Sequence, residues 1–304
     1  MDSGKVLLII NPVAGHRAAR RALYPLVQRL CEGGQMATVY ATSAPGQARS
    51  VAEARGGDFA RVICCGGDGT LNETVNGLME VQDRPLLGYI PAGTTNDFAA
   101  TLGIPHNPEQ AALEIGGGQP FCCDVGDLNG RYFDYIAAFG IFTDVSYTTP
   151  QQFKNVCGRV AYFLEGIKQL SSIPHYRLRV EWEGGSQEED FIFGAVTNTL
   201  SVGGAQPRFV DGIALNDGLF EVLLIRNPRN FFELQTIVTL LLKQELNPKY
   251  FTFIRTSSLR FSSESEIPWT LDGEYGGSFQ SACIRNHPRA ICIAVPRPSG
   301  ESAS

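Results

Sequence analysis

The segment Gly66-Gly67-Asp68-Gly69-Thr70 sets one carboxylate among three glycines, directly after an apolar run ending at Cys65 and directly before a helical pattern opening at Leu71. Glycines let a ligand approach the main chain closely, and the N–H groups at the start of a helix favour a phosphate there. A second loop, Pro91-Ala92-Gly93-Thr94-Thr95-Asn96-Asp97-Phe98, also follows an apolar run. A third, Asn11-Pro12-Val13-Ala14-Gly15, leads into a segment carrying Arg17, Arg20 and Arg21. Three such loops point to a phosphate-bearing ligand. The same residues also have plain structural uses: Asp68 as a solvated turn residue, Thr94 or Thr95 as caps, the arginines as a solvated face. Thr70 and Glu73 have the spacing of a capping box that would fix the start of the following helix.

The elements that must hold these loops alternate between strand and helix patterns, as in a parallel sheet built from β-α-β units. Strands are expected at Lys5 to Ile10, Met36 to Ala41, Arg61 to Cys65 and Leu86 to Ile90. Helices are expected at Arg17 to Leu30, Gln47 to Ala54, Leu71 to Glu80, Phe98 to Leu102 and Pro108 to Ile115, with Pro25 marking a kink or late start in the first. Loops at the carboxyl ends of parallel strands line one crevice, so the Asp68 and Thr94 loops should share a site. After about Gln119 the pattern becomes β-rich. Phe121 to Leu128 and Arg131 to Ala138 flank Asn129-Gly130, a two-residue hairpin signal. Tyr176 to Trp182 and Phe191 to Thr197 form another hairpin over Gly184-Gly185. Further strands are expected at Phe220 to Ile225, Tyr250 to Phe261, Ser278 to Ile284 and Ala290 to Val295, with helices at Arg159 to Leu170 and Phe231 to Leu246. The apolar stripe of that last helix reads as core packing.

The fold class is therefore an α/β domain with an open parallel sheet, residues 1–120, and a β-rich antiparallel domain, residues 121–285, with residues 286–304 packing back on the first. At 304 residues, 43% hydrophobic and 18% charged, the chain has material for two cores. A net charge of −6 argues against a nucleic-acid partner, which needs a broad basic face. Eight cysteines without C-x-x-C spacing suggest neither a zinc site nor a disulfide framework. Neither a signal peptide nor a spanning segment is read, so a reducing, cytoplasmic setting is expected. The four histidines have no ligand spacing.

Together the three loops, Asn72-Glu73, Ala214-Leu215-Asn216-Asp217-Gly218-Leu219 and Leu271-Asp272-Gly273-Glu274 resemble the diacylglycerol-kinase catalytic-domain family, in its soluble bacterial lipid-kinase branch. The resemblance implies a Rossmann-like, NAD-kinase-like first domain that binds ATP through Asn11, Pro12, Gly15, Thr42, Gly66, Gly67, Asp68, Gly69, Thr70, Leu71, Asn72 and Thr94. It implies that Asp68, Asp97 and Asp124 hold catalytic Mg²⁺ through water, and that Asp272 and Glu274 are the pair from which the proton acceptor comes. It further implies a structural Mg²⁺ on Asp217 and the carbonyls of Ala214 and Leu219, although Asn216-Asp217-Gly218 and Asp272-Gly273 read by themselves as turns. The expected partner is a lipid substrate met peripherally at the membrane surface, with a homodimer left open. NAD kinase, which shares Gly-Gly-Asp-Gly-Thr, and a non-catalytic nucleotide-binding regulator are the alternatives. Relatives often carry basic residues where this chain has Ala99-Ala100 and Glu165.

Overall fold

The computed structural model describes residues 4–94, 96–115, 118–141, 173–198, 214–243 and 245–297. They divide into two compact units, one formed by Met1–Cys123 with Arg289–Ser304, the other by Asp124–Pro288.

In unit 1, β1 (Lys5–Ile10), β2 (Met36–Ala41), β3 (Arg61–Gly66) and β4 (Leu86–Pro91) run parallel in the order β4-β3-β1-β2. Helices α1 (Ala18–Glu32), α2 (Gln47–Arg55), α3 (Asp68–Leu78), α4 (Asp97–Thr101) and α5 (Pro108–Ile115) intervene or follow. In β1, β3 and β4 five of the six residues are buried, as expected of parallel strands covered on both faces. The edge strand β2 is largely exposed. α1 continues through Pro25 and buries Ala19, Ala22, Leu26 and Leu30, so the proline marks no late start.

The expected capping box does not form. α3 starts at Asp68, with Gly67 as N-cap, so Thr70 and Glu73 lie inside the helix. The Glu73 carboxylate instead accepts the N–H groups of Gly46 (2.7 Å) and Ala48 (3.2 Å), capping α2 from a neighbouring element. Gly77 lets α3 lie directly on α2: a Cβ there would run into the Arg49 carbonyl oxygen.

Unit 2 is an antiparallel assembly of β5 (Gln119–Leu128), whose first residues belong to unit 1, β6 (Arg131–Phe133), β7 (Ile136–Gly140), β8 (Tyr176–Trp182), β9 (Gly185–Thr197), β10 (Phe220–Arg226), β11 (Phe251–Thr256), β12 (Ser258–Leu271) and most of β13 (Glu274–Val295). β9 and β12 change partners along their length. Each pairs with β8 at one end and β7 at the other, so β9, β7, β12 and β8 close on themselves. Phe139, Phe191, Phe261 and Trp269 fill that interior, with Phe139 and Phe261 edge-on to Trp269 at 4.9 and 5.0 Å. A second cluster lies under α6 (Phe231–Lys243), which buries Leu234, Ile237, Val238 and Leu241 but leaves Phe231 and Leu242 exposed; the stripe is core only in part.

Several strands differ from their expected spans. Asn129 and Gly130, both at positive φ, form the expected hairpin, but the run after it breaks into β6 and β7 at Asp134-Tyr135. The segment from Tyr250 to Phe261 is divided between β11 and β12, and the last two strands are one, β13. Its end enters unit 1, where Ile293 stands opposite Leu87 of β4 in parallel. Cys122 and Cys292 are joined by a disulfide, a bond that cysteine spacing did not suggest because the partners lie 170 residues apart. Among the described residues no helix is long and apolar enough to cross a membrane. The helix expected at Arg159 to Leu170 lies outside the described residues, as do Glu165 and Thr95.

Candidate active site

The loops that follow β1, β3 and β4 meet at the carboxyl end of the unit 1 sheet. The Asn11 N–H donates to the Cys65 carbonyl at 2.9 Å, and the Ala92 N–H to the Gly66 carbonyl at 2.8 Å. Each loop is thus tied to the end of β3. The Asn11 amide donates to the Thr70 hydroxyl at 3.2 Å, while its oxygen accepts the Val13 N–H at 3.2 Å and shapes the turn to Gly15, at φ 51°. Arg20 donates to the Pro12 carbonyl at 3.1 Å. Thr42, at the end of β2, is buried and donates through its main-chain N–H to the Ile10 carbonyl at 2.9 Å.

Glycine is required where two of these loops touch. A Cβ on Gly93 would stand 2.7 Å from the Gly67 Cα, and one on Gly66 would stand 2.6 Å from the Thr70 Cβ. Asn96 holds the second loop. It sits in the left-handed region at φ 50°, accepts the Gly93 N–H at 2.9 Å and returns its own amide to the Gly93 carbonyl at 3.0 Å. Gly67 brings no side-chain oxygen to the first turn of α3, so no side chain of the N-cap competes with an anion for those N–H groups. Asp68 is half-buried at the head of α3, Asn72 lies one turn further on, and Thr94 is exposed at the loop tip.

Unit 2 contributes a second group. Asp124 is fully buried: its N–H donates to the Leu215 carbonyl at 2.8 Å, its carboxylate accepts the Gly218 N–H at 2.6 Å, and its carbonyl accepts the Asn198 amide at 2.6 Å. The turn carrying Asp217 is therefore built onto Asp124. Asp217 Oδ1 accepts the Leu219 N–H at 3.0 Å, and Oδ2 takes Arg255 at 2.7 Å. The same guanidinium reaches Glu221 Oε1 at 3.2 Å. Glu221 is 1% exposed, and burial pushes its carboxyl up to about 7; Arg255 pulls against that shift and Asp217 adds to it. Two carboxylates thus share one guanidinium.

Asp272 has a different task from its sequence neighbour Glu274. At φ 47° it turns the chain between β12 and β13, and its carboxylate accepts three main-chain N–H groups: Asp134 at 3.0 Å, Tyr135 at 2.9 Å and Ile136 at 2.8 Å. This fixes the break between β6 and β7. Glu274 opens β13 with an exposed side chain that receives no hydrogen bond from the described residues. Among the described residues no three His, Cys, Asp or Glu side chains gather to hold a metal.

Unit 1 therefore gathers Asn11, Pro12, Gly15, Thr42, Gly66 to Asn72 and Thr94 around one sheet edge, and unit 2 gathers Asp124 with the Ala214–Leu219 turn. Residue reasoning missed Asn96, Asn198, Arg255 and the cross-element cap of Glu73. An asparagine beside Gly-Thr-Thr could have signalled a left-handed position. Nothing in the local sequence announces Arg255, whose partners lie 34 and 38 residues away.

A two-unit, sheet-rich protein with Gly-rich loops at the carboxyl end of a parallel sheet is the class defined by this geometry. The sequence profile of the diacylglycerol kinase catalytic domain matches residues 5–128. The diacylglycerol kinase of Bacillus subtilis strain 168 is 34% identical over 297 residues, covering 97% of each chain. That of Staphylococcus aureus strain JH9 is 35% identical over 292 residues, covering 95% of this chain and 91% of its own. A Bacillus anthracis strain Sterne crystal structure matches with a TM-score of 0.80 at 26% identity, over 97% of this chain and 98% of that one. The chain belongs to the diacylglycerol kinase family. It is accordingly a lipid kinase, an enzyme that phosphorylates an alcohol acceptor.

Proposed function

We propose that the protein transfers the γ-phosphoryl group of ATP, with Mg²⁺, to a free hydroxyl of diacylglycerol or a related lipid. The carrying observation is the backbone contact of Gly67 with Gly93, which joins two loops at the head of α3 where N–H groups can receive phosphate. Unit 1 is read as a Rossmann-like, NAD-kinase-like ATP-binding domain, and unit 2 as the domain that presents the lipid. The first-turn N–H groups of α3 and the Asn11–Gly15 loop bind phosphate oxygens, while Thr42, Asn72 and Thr94 complete the nucleotide's surroundings.

The residues suit Mg²⁺. It prefers carboxylate and water oxygens, and in nucleotide sites it is commonly held by one or two carboxylates together with substrate phosphates, so no cluster of three acidic side chains is needed. Asp68, Asp97 and Asp124 would hold it through water. Bound there, it would draw charge from the transferring phosphoryl group. For the turn at 214–219 the test is the donor set: a carboxylate and main-chain carbonyls are the hard oxygen ligands that Mg²⁺ takes, so Asp217 with the carbonyls of Ala214 and Leu219 would hold it.

Within the Asp-Gly-Glu segment we assign the proton of the lipid hydroxyl to Glu274. Asp272, already accepting three N–H groups, is a positioning residue that fixes the turn presenting Glu274. The protein is read as peripheral at the cytoplasmic face of a membrane, and its oligomeric state as a monomer or homodimer. The test is incubation with labelled ATP, Mg²⁺ and a panel of vesicle-borne lipids, with NAD as a competing acceptor. A phosphorylated lipid supports the reading, and phosphorylated NAD alone replaces it with the NAD kinase alternative.

A further inference from the structure

Cys122 on β5 and Cys292 on β13 are bonded across two strands, and both are partly exposed. The other described thiols differ. Cys64, Cys65 and Cys123 are buried, Cys31 is exposed on α1, and Cys283 lies on β13 within unit 2. Burial pushes the Cys65 thiol up to about 12, which keeps it protonated and unreactive.

The position of the bonded pair is specific. The chain leaves unit 1 at Cys123 and returns at Arg289, so Cys122 is the penultimate residue of the outgoing crossing and Cys292 the fourth of the returning one. The bond closes a loop of 170 residues that contains the whole of unit 2, and Asp124 follows Cys122 by two residues. Closing so long a loop removes entropy from the unfolded chain. Where thiols are kept reduced, the disulfides that do form are usually transient and catalytic or redox-sensing.

We propose that Cys122 and Cys292 form a dithiol site modified reversibly by hydroperoxides, and that oxidation clamps the two chain crossings together. One thiolate attacks the peroxide oxygen, breaking the O–O bond and giving a sulfenic acid with an alcohol or water as leaving product. The second thiol then attacks that sulfur, the S–S bond forms and water leaves. Two thiols and one hydroperoxide thus give one disulfide, one alcohol or water, and one further water; a dithiol reductant reverses the change. The site stands independently of the phosphoryl-transfer reading.

The experiment uses the full chain. Protein reduced with dithiothreitol, freed of reductant and exposed to dilute hydrogen peroxide is digested without reduction and analysed by mass spectrometry, with melting followed in parallel. A cross-linked peptide pair containing Cys122 and Cys292 is expected. It should disappear on renewed reduction, and the oxidised form should melt about 5 °C higher, a gain that both Cys122→Ser and Cys292→Ser lose and Cys31→Ser keeps. The two serine variants guard against either one failing to fold. If both cysteines stay open to alkylation after peroxide, or are oxidised singly to sulfinic acid, the dithiol site is wrong. If the bond forms without raising the melting temperature, the clamp is wrong.

Discussion

A carboxylate that already accepts three main-chain N–H groups has little capacity left to take a proton from substrate, and this separates Asp272 from Glu274. Glu274→Gln should lower kcat about 10²- to 10⁴-fold while ATP affinity stays near that of the parent. Asp272→Asn should lower both kcat and melting temperature, because an NH₂ group would face an N–H donor of residues 134 to 136. Steady-state kinetics with equilibrium nucleotide binding and thermal melts distinguish them; a near-parent kcat for Glu274→Gln would make the segment a turn and nothing more. The Asp-Gly-Glu string is legible as a turn in the sequence. The division of labour within it is not, since the three donors to Asp272 lie more than 130 residues away.

The loop around Gly93 acts only through its fit against the loop around Gly67. Gly93→Ala would push a methyl group to 2.7 Å from the Gly67 Cα and 2.8 Å from Asn96 Oδ1. We expect ATP affinity to fall at least tenfold with the second domain's stability unchanged, as measured by calorimetric titration. Glu73→Ala tests the cap on α2: losing the acceptor of two main-chain N–H groups should cost about 1 kcal/mol in denaturant unfolding. The order of strands and helices in unit 1 is readable from apolar runs separated by glycine loops. Where α3 starts is not, because Thr70 and Glu73 satisfy a local rule while their side chains serve Asn11 and α2 instead. The β-rich half is read less well for a related reason. β9, β12 and β13 are long strands that exchange partners midway, and an exchange leaves no period in the sequence.

At the level of the molecule, the oxygen donors of the turn at 214–219 predict a response to cations. If Mg²⁺ binds at Asp217, adding it without nucleotide should raise the melting temperature of the parent, and by less in Asp217→Ala. That variant will melt lower in any case, because Arg255 loses a partner at 2.7 Å. The decisive quantity is therefore the Mg²⁺-dependent increment in each protein. Equal increments would remove the cation from that turn and leave Arg255 as its sole positive charge among the described residues.

The threading of β13 has a consequence for the order of events during synthesis. Most of unit 1 precedes unit 2 in the chain, yet Ile293 beside Leu87 and Cys292 beside Cys122 leave the ribosome only after all of unit 2. The nascent chain must therefore hold an incomplete first domain while all of the second is translated, with one side of β4 waiting for its neighbour. Such a domain is exposed to proteases and to strand-edge association until the end of β13 emerges. A chain ending at Pro288 should be recovered with unit 1 sensitive to limited proteolysis, and supplying residues 289–304 as a separate peptide should restore resistance if the closing strand is what was missing.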